Sequence, residues 1–194
     1  MIYTYSLTHP SKKTSAKIKN YTSLHSNLQE AVKNKSATNE SSYNEILTHI
    51  QSLVKNTIAL KSSSFFTSEL RAIAKIKPLT QPTAWGGVAL KKVDVAKDII
   101  QKLLIIKKSG VLGFEIHKKK KEHLQIREGY CVIFFIHHAK KNHTVISVQC
   151  AGPGDTFTFQ PKDEHGMLTI TNCVIEETST NHLDDLVYIF NAHL

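Results

Sequence analysis

Apolar residues in the first third of the chain recur at the three- and four-residue spacing of amphipathic helices. In front of the clearest stripe, Ser42-Tyr-Asn-Glu45 has the sequence of a capping box. Residues 6–15 lack such a stripe, and we expect them to form a frayed terminus. The pattern predicts helices over residues 43–61, 18–32 and 66–74.

After residue 85 the pattern changes to the short apolar runs and two-residue alternation of β-strands. Residues 130–136 are almost continuously apolar, as in a strand that is covered on both faces. Gly, Pro, Asn and Lys residues separate the runs, which is typical of an antiparallel sandwich or barrel. The predicted strands are 89–93, 102–107, 112–117, 123–127, 130–137, 144–150, 156–160 and 168–176.

The glycines divide the chain into two parts. All eight follow residue 85, and glycine both permits the positive-φ turns of hairpins and weakens helices. Pro78 marks the same boundary, because proline biases the residue before it away from helix. We therefore expect a helical region over residues 1–77 and a β-barrel domain over residues 78–194.

Composition narrows the functional classes. The chain has 194 residues, of which 41% are apolar, so it is able to bury a core and is not wholly disordered. Its formal net charge of +9 divides into +7 on residues 1–77 and +2 on residues 78–194. The basic residues are scattered along the predicted helices, with few aromatic residues among them and no nucleic-acid motif. Nucleic-acid binding is therefore the least favoured hypothesis.

The apolar runs and the cysteines of the sequence predict where in the cell the protein is located. We expect no membrane span, because the longest apolar runs fall far short of about 18 residues. We expect no secretory signal, because no basic segment followed by an apolar one lies near the N-terminus. The cysteines are odd in number and lack CxxC spacing, which favours buried reduced thiols and a cytoplasmic location.

Residues 113–129 carry the residue types of a metal site. On a strand, Glu115 and His117 point to the same face, and a turn through four lysines brings Glu122 back opposite them. His165 lies at the end of a later strand. Two carboxylates and two imidazoles that converge inside a barrel predict a divalent ion such as Zn, Fe, Mn or Ni.

These residues resemble the two sequence motifs of the cupin superfamily. The first motif is matched by His117, Glu122 and Gly129, and the second by Gly154-Asp155, Pro161, His165 and Asn172. More narrowly, the chain resembles the cupin domain of type II mannose-6-phosphate isomerases over about residues 82–189. That resemblance is carried by Trp85-Gly86, Lys102-Leu-Leu-Ile-Ile-Lys107 and the segment from Glu177 to Asp185.

The resemblance implies a mainly β fold, a cupin (double-stranded β-helix or jelly-roll) barrel that follows an N-terminal helical region. It implies a metal held by Glu115, His117, Glu122 and His165. It also implies that a sugar phosphate or another small anionic carbohydrate binds there and undergoes aldose-ketose isomerisation. Anionic oxygens of the substrate would be bound by Lys119, Lys120 and Lys121. No catalytic residue is assigned.

Several positions depart from the cupin pattern. Lys119 stands where the first motif has its second His, Asp163 replaces a Gly of the second motif, and Tyr188 replaces an Arg. His165 is also one residue closer to Pro161 than usual. A second hypothesis therefore stays open, a non-catalytic cupin with a degenerate metal site whose helical region mediates homodimerisation or partner binding. Under this second hypothesis, the run of lysines is a solvated turn, and the polar residues at the barrel mouth bind no metal.

Overall fold

A computed structural model describes residues 2–18, 21–33, 35–37, 39–57 and 81–190. The helices are α1 (Lys12–Lys17), α2 (Tyr21–Val32) and α3 (Glu40–Thr57), with one 3₁₀ turn at Val95–Lys97. The strands are β1 (Ile2–Thr8), β2 (Ser36–Ala37), β3 (Gln81–Thr83), β4 (Gly86–Asp94), β5 (Ile99–Ile106), β6 (Val111–His117), β7 (Glu122–Glu128), β8 (Cys131–Ile136), β9 (His143–Ala151), β10 (Thr156–Phe159), β11 (Glu164–Thr169), β12 (Cys173–Thr180) and β13 (Leu186–Phe190).

The strands form two packed sheets. Sheet 1 has the order β13-β6-β11-β8-β9-β1-β2, and sheet 2 has the order β10-β7-β12-β5-β4-β3. From β5 onward, successive strands alternate between the sheets, except that β8 and β9 form a hairpin in sheet 1. The four-strand sets β6-β11-β8-β9 and β5-β12-β7-β10 therefore have the double Greek-key order of a jelly roll. The predicted fold class, a mainly β jelly-roll barrel with a helical N-terminal region, is confirmed.

Two apolar cores lie on opposite faces of sheet 1. Between the sheets, Cys131 and Ile133 pack with residues of sheet 2 such as Ile175. On the other face, Val132 and Phe134 pack against buried residues of α2 and α3. Strand β8 is thus covered on both faces, as its continuous apolar sequence predicts.

The N-terminal residues are attached to the barrel. Strand β1 pairs in parallel with β9 and so extends sheet 1, and Ser11 caps α1 by accepting a hydrogen bond from the backbone N–H of Thr14. The prediction of a frayed terminus over residues 6–15 is therefore wrong. Tyr3, Tyr5 and Leu7 alternate with polar residues and pack on the core, and a register of seven residue pairs joins β1 to β9.

Two of the predicted helices fall on described residues. Helix α2 and helix α3 match the predicted stripes as far as Thr57, but α3 begins earlier than the Ser42 capping box. Asn39 Oδ1 accepts hydrogen bonds from the backbone N–H and hydroxyl of Ser42, so Asn39 is the cap. The predicted 66–74 helix and the boundary near Lys77 lie outside the described residues.

Most predicted strands are present, but one predicted strand is two strands in the structure. The predicted strand 168–176 is two strands, β11 and β12, separated by a turn at residues 170–172. Strands β3 and β13 have no counterpart among the predicted strands. Gly129, with φ +78°, permits the turn that precedes β8, where a Cβ would meet the carbonyl oxygen of Asn172 at 2.0 Å.

Cys131, Cys150 and Cys173 are buried free thiols, in agreement with the sequence analysis. No helix in the described part of the chain combines the length and apolar character needed to cross a membrane.

Candidate metal centre

Four chemistry-bearing side chains converge between the two sheets. Glu115 and His117 are two positions apart on β6, so both side chains lie on its inward face. His165 on β11 is the direct cross-strand partner of Glu115. Glu122 begins β7, which belongs to the opposite sheet. The chain crosses from one sheet to the other through residues 118–121, called here the lysine turn, so Glu122 faces the other three across the barrel interior.

The separations of these side chains are those of a metal-ligand set. His117 Nε2 lies 3.6 Å from Glu115 Oε1 and 3.5 Å from Glu122 Oε1. His165 Nε2 lies 3.5 Å from Glu115 Oε1 and 3.1 Å from Glu122 Oε2. One ligand atom from each of the four residues lies within 4.8 Å of the others.

These distances fit a single ion. Ligand atoms about 2.1 Å from a metal in tetrahedral geometry lie roughly 3.4 Å apart, close to the measured separations. His117 Nε2 is buried and makes no hydrogen bond of acceptable geometry with any described residue. Buried polar atoms are almost always satisfied, so an orphan nitrogen that faces two carboxylates indicates a bound species. Imidazole nitrogens and carboxylate oxygens are the donor set of Zn, Fe, Mn and Ni.

Electrostatics hold the cluster together. Burial by itself raises the pKa of Glu122, but the hydrogen bond and charge of His165, with the charges of Lys120 and His117, lower that pKa well below its usual range. Burial by itself lowers the pKa of His165, yet Glu122 and Glu115 raise that pKa overall. Glu122 is therefore held as an anion and favours a positive charge beside it.

The orientation of His117 is set by the residue that precedes β13. His117 Nδ1 lies 3.2 Å from the backbone carbonyl oxygen of Asp185, so Nδ1 carries the proton and Nε2 presents a lone pair to the cluster. The carboxylate of Asp185 accepts hydrogen bonds from the backbone N–H groups of Lys119 and Lys120. These hydrogen bonds join the turn after β6 to the residue that precedes β13.

Aromatic and aliphatic side chains surround the cluster. The ring of Phe159 stacks on His165 with centroids 4.1 Å apart and planes 3° apart, which leaves the imidazole little rotational freedom. A cavity of about 30 Å³ lies beside Glu115, Glu122 and His165. Its apolar wall is formed by Leu104, Leu112, Leu124 and Met167. Its volume is about the share that one water molecule occupies in the liquid.

The lysine turn places one ammonium group in the site. Of its four lysines, all of which the structure describes, Lys120 alone is buried, with 6% of its surface exposed. Its Nζ contacts Glu122 Oε1 and lies 2.9 Å from Glu177 Oε1. Lys119 and Lys121 are exposed. The structure thus brings one of the three predicted substrate-binding lysines to the pocket and leaves the other two on the surface of the turn.

Sequence reasoning missed the partners of Lys120. Glu177 on β12 accepts from both Lys120 and Lys102, the latter at 3.0 Å, and its side chain is 5% exposed. A signal was present, because Lys102 shares a face of β5 with Ile100, Leu104 and Ile106, and a charged residue among apolar ones needs a partner. The pairing of β5 with β12 decides which residue that partner is, and it places Glu177 opposite Lys102.

Two of the departures from the cupin pattern have structural explanations. Asp163 is 2% exposed and its carboxylate accepts hydrogen bonds from the backbone N–H groups of Gln160 and His138 and from His137 Nδ1. It therefore joins the β8–β9 hairpin to the turn before His165. Tyr188 is the register partner of Glu115 on β13 and its ring covers Gly113.

No protein-family model and no curated protein sequence matches this chain. Similar solved structures include KdgF from Halomonas sp., which is 12% identical over 51% of this chain and 81% of that chain, with a TM-score of 0.43. An RmlC-like cupin from Shewanella frigidimarina is 14% identical over 55% of this chain and 87% of that chain, with a TM-score of 0.44. These likenesses concern the fold.

A third similar structure is Lactobacillus farciminis oxalate decarboxylase in its formate complex, with 16% identity and a TM-score of 0.48. The match covers 57% of this chain and 33% of the decarboxylase chain, so this chain spans about a third of that protein. The structures named here include no mannose-6-phosphate isomerase, and the narrower resemblance to that family stays a prediction.

Proposed function

We propose that this chain is a cupin-type protein that holds one divalent transition-metal ion through Glu115, His117, Glu122 and His165 and binds a small molecule at it. One observation carries the proposal: four ligand atoms from two facing sheets lie within 4.8 Å of one another in the barrel interior. A second observation supports it: His117 carries its proton on Nδ1, which faces a backbone carbonyl, and its Nε2 has no hydrogen-bond partner among the described residues.

The metal would act as a Lewis acid that polarises a carbonyl or hydroxyl oxygen of the bound molecule. The protein residues supply the rest of the site. Two carboxylates balance the charge of a divalent ion, the Asp185 carbonyl and the Phe159 ring orient the two imidazoles, and the leucines beside the cavity exclude water. Exclusion of water strengthens every electrostatic interaction in the site.

Isomerisation of a sugar phosphate is the narrower form of the proposal, and it rests on the resemblance of residues 82–189. The cavity beside the ligand set is far smaller than the 300–1,000 Å³ of ordinary ligand pockets. A sugar phosphate would therefore need the lysine turn to move away from the barrel mouth. The exposed Lys119 and Lys121 would then offer their ammonium groups to phosphate.

A non-catalytic binding protein with a weakened metal site is the second candidate. The observation that favours it is the contact of the Lys120 ammonium group with Glu122, which takes one carboxylate oxygen of the ligand set. Homodimerisation through the N-terminal region and a cytoplasmic location, the latter suggested by three unpaired cysteines, stay part of the proposal.

Metal analysis of the purified protein tests the metal site. We expect the wild-type protein to bind about one equivalent of Co²⁺ or Zn²⁺ after dialysis against the metal. His117→Ala and Glu122→Ala should each lose that equivalent, because each removes one ligand atom of four. His123→Ala is the matched control, since His123 neighbours Glu122 but is exposed and bonds to Thr158 Oγ1.

The proposal is wrong if the folded wild-type protein binds no metal at millimolar concentrations, or if the two ligand variants bind as much as the wild type. If metal binds, the interconversion of mannose 6-phosphate and fructose 6-phosphate should be assayed with the loaded protein. Turnover that is lost in Glu122→Ala supports the isomerase, whereas metal binding without turnover supports the non-catalytic protein.

A further inference from the structure

Lys120 occupies a position that the metal-site proposal does not use. Its neighbours in the lysine turn are exposed, yet its own side chain enters the barrel and is 7% exposed. The turn is held there by backbone hydrogen bonds on both sides. The Asp185 carboxylate accepts from the N–H of Lys120, and the N–H of Lys121 donates to Thr180 Oγ1 at 3.1 Å. The inward direction of Lys120 is therefore set by the backbone of the turn.

The ammonium group of Lys120 shares one atom with the ligand set. Its Nζ contacts Glu122 Oε1, the oxygen that lies 3.5 Å from His117 Nε2. The same Nζ lies 2.9 Å from Glu177 Oε1, and Glu177 lies outside the ligand set. Lys120 thus has one partner that a metal would need and one partner that a metal would leave untouched.

The charges of the pocket agree with this arrangement. Glu115, Glu122 and Glu177 contribute three negative charges, while Lys102 and Lys120 contribute two positive ones. A divalent ion among the four ligands would lie close to the Lys120 ammonium group, and the two cations would repel each other. The ammonium group itself is not a free anion site, because two carboxylates already neutralise it.

We propose that Lys120 is an intramolecular competitor of the metal: its ammonium group holds Glu122 in the metal-free protein and must transfer to Glu177 alone when a divalent ion enters. The proposal rests on the metal site proposed above. It makes Lys120 a residue that sets metal affinity, so the wild-type protein binds metal more weakly than its four ligands would by themselves.

Co²⁺ titration at one pH and ionic strength, followed by visible absorbance, tests this inference. We expect Lys120→Met to bind Co²⁺ at least 10-fold more tightly than the wild type, because both the repulsion and the competing contact are removed. Lys119→Met removes the same charge from the adjacent, exposed position and should change the Kd less than 2-fold. Lys102→Met removes an ammonium group that contacts Glu177 but has no contact with Glu122 among those described, and should change it less than 3-fold.

Two further variants distinguish the inference from misfolding of Lys120→Met, in which the buried Glu122 loses its ammonium partner while Glu177 keeps Lys102. Lys120→Gln keeps hydrogen-bond donors without the charge and should also tighten binding, whereas Lys120→Arg keeps the charge and should bind like the wild type. Equal or weaker Co²⁺ binding by folded Lys120→Met or Lys120→Gln overturns the inference while the metal site stands. Absence of Co²⁺ binding in every variant and in the wild type overturns the metal site itself.

Discussion

The imidazole of His117 and the backbone of Asp185 are joined by a 3.2 Å contact between Nδ1 and the carbonyl oxygen, across 68 positions of sequence. A carbonyl oxygen only accepts hydrogen bonds, so the contact selects the imidazole tautomer whose Nε2 is free to bind a metal. The side chain of the same residue holds the lysine turn. Asp185, which precedes β13, therefore positions both the proposed ligand His117 and the proposed competitor Lys120.

The Asp185 carboxylate should influence metal binding without touching the metal. Asp185→Ala removes the acceptor for the backbone N–H groups of Lys119 and Lys120, so the turn and the backbone beside His117 lose their anchor. Release of the turn would also free the competing ammonium group of Lys120, so the variant is made in the Lys120→Met background, where that opposing effect is absent. Loss of a residue that orients ligands typically weakens metal affinity about 10–100-fold, and we expect at least a 10-fold rise in the Co²⁺ Kd over that of Lys120→Met alone. Asp184→Ala, a neighbouring exposed carboxylate, should leave the Kd unchanged. Equal Kd values for the two variants would show that the anchor is dispensable.

Asp163 should make the folded protein sensitive to acid. Burial by itself raises the pKa of Asp163, but hydrogen bonds from His137 and from the backbone N–H groups of Gln160 and His138 lower that pKa below its ordinary value. A carboxylate whose pKa is lower when folded stabilises the protein fully above its unfolded pKa of about 3.9. That contribution is lost as the pH falls through the folded pKa.

Asp163→Asn should therefore lower the free energy of unfolding by roughly 1.5–3 kcal/mol at pH 7. The difference from wild type should shrink as the pH falls below about 4. Urea unfolding at a series of pH values measures it, with Asp184→Asn as an exposed control that should change stability by less than about 0.5 kcal/mol. A difference that stays constant down to pH 3 would mean that the amide acts through packing rather than through lost charge.

The contact between α1 and the β9–β10 turn should stabilise the whole barrel. Thr14 Oγ1 donates to Asp155 Oδ2 at 2.6 Å, and the same oxygen accepts from the backbone N–H of Gly152 at 2.9 Å. Thr14→Val keeps the shape of the buried side chain and removes the donor, and should cost about 1–2 kcal/mol in urea unfolding. Ser15→Ala removes a hydrogen bond within α1 and serves as the control. A Thr14→Val protein as stable as the control would contradict docking of α1.

Local patterns in the sequence were sufficient to predict most strands of the barrel. Two-residue alternation and turn residues are encoded within a few positions, so β4 to β10 could be predicted without knowledge of their partners. Strands β1 and β13 were missed although each carries a local pattern, because Tyr3, Tyr5 and Leu7 alternate with polar residues and Leu186–Phe190 is continuously apolar. No local pattern gives their pairing, which is with β9, more than 130 residues away, for β1 and with β6 for β13.

The candidate ligands divide in the same way. That Glu115 and His117 share a face follows from the period of a strand, and so the sequence by itself determined this half of the site. The sequence also predicted that the lysine turn brings Glu122 opposite them. Only the tertiary structure decided that Glu122 does so from the other sheet, and that Lys120, rather than Lys119, enters the barrel. The direction of a side chain in a turn depends on which groups hold the backbone of the turn, and here those are the side chains of Asp185, just before β13, and of Thr180 on β12. Contacts between residues so far apart in the chain are set by the packing of the sheets, which no local pattern encodes.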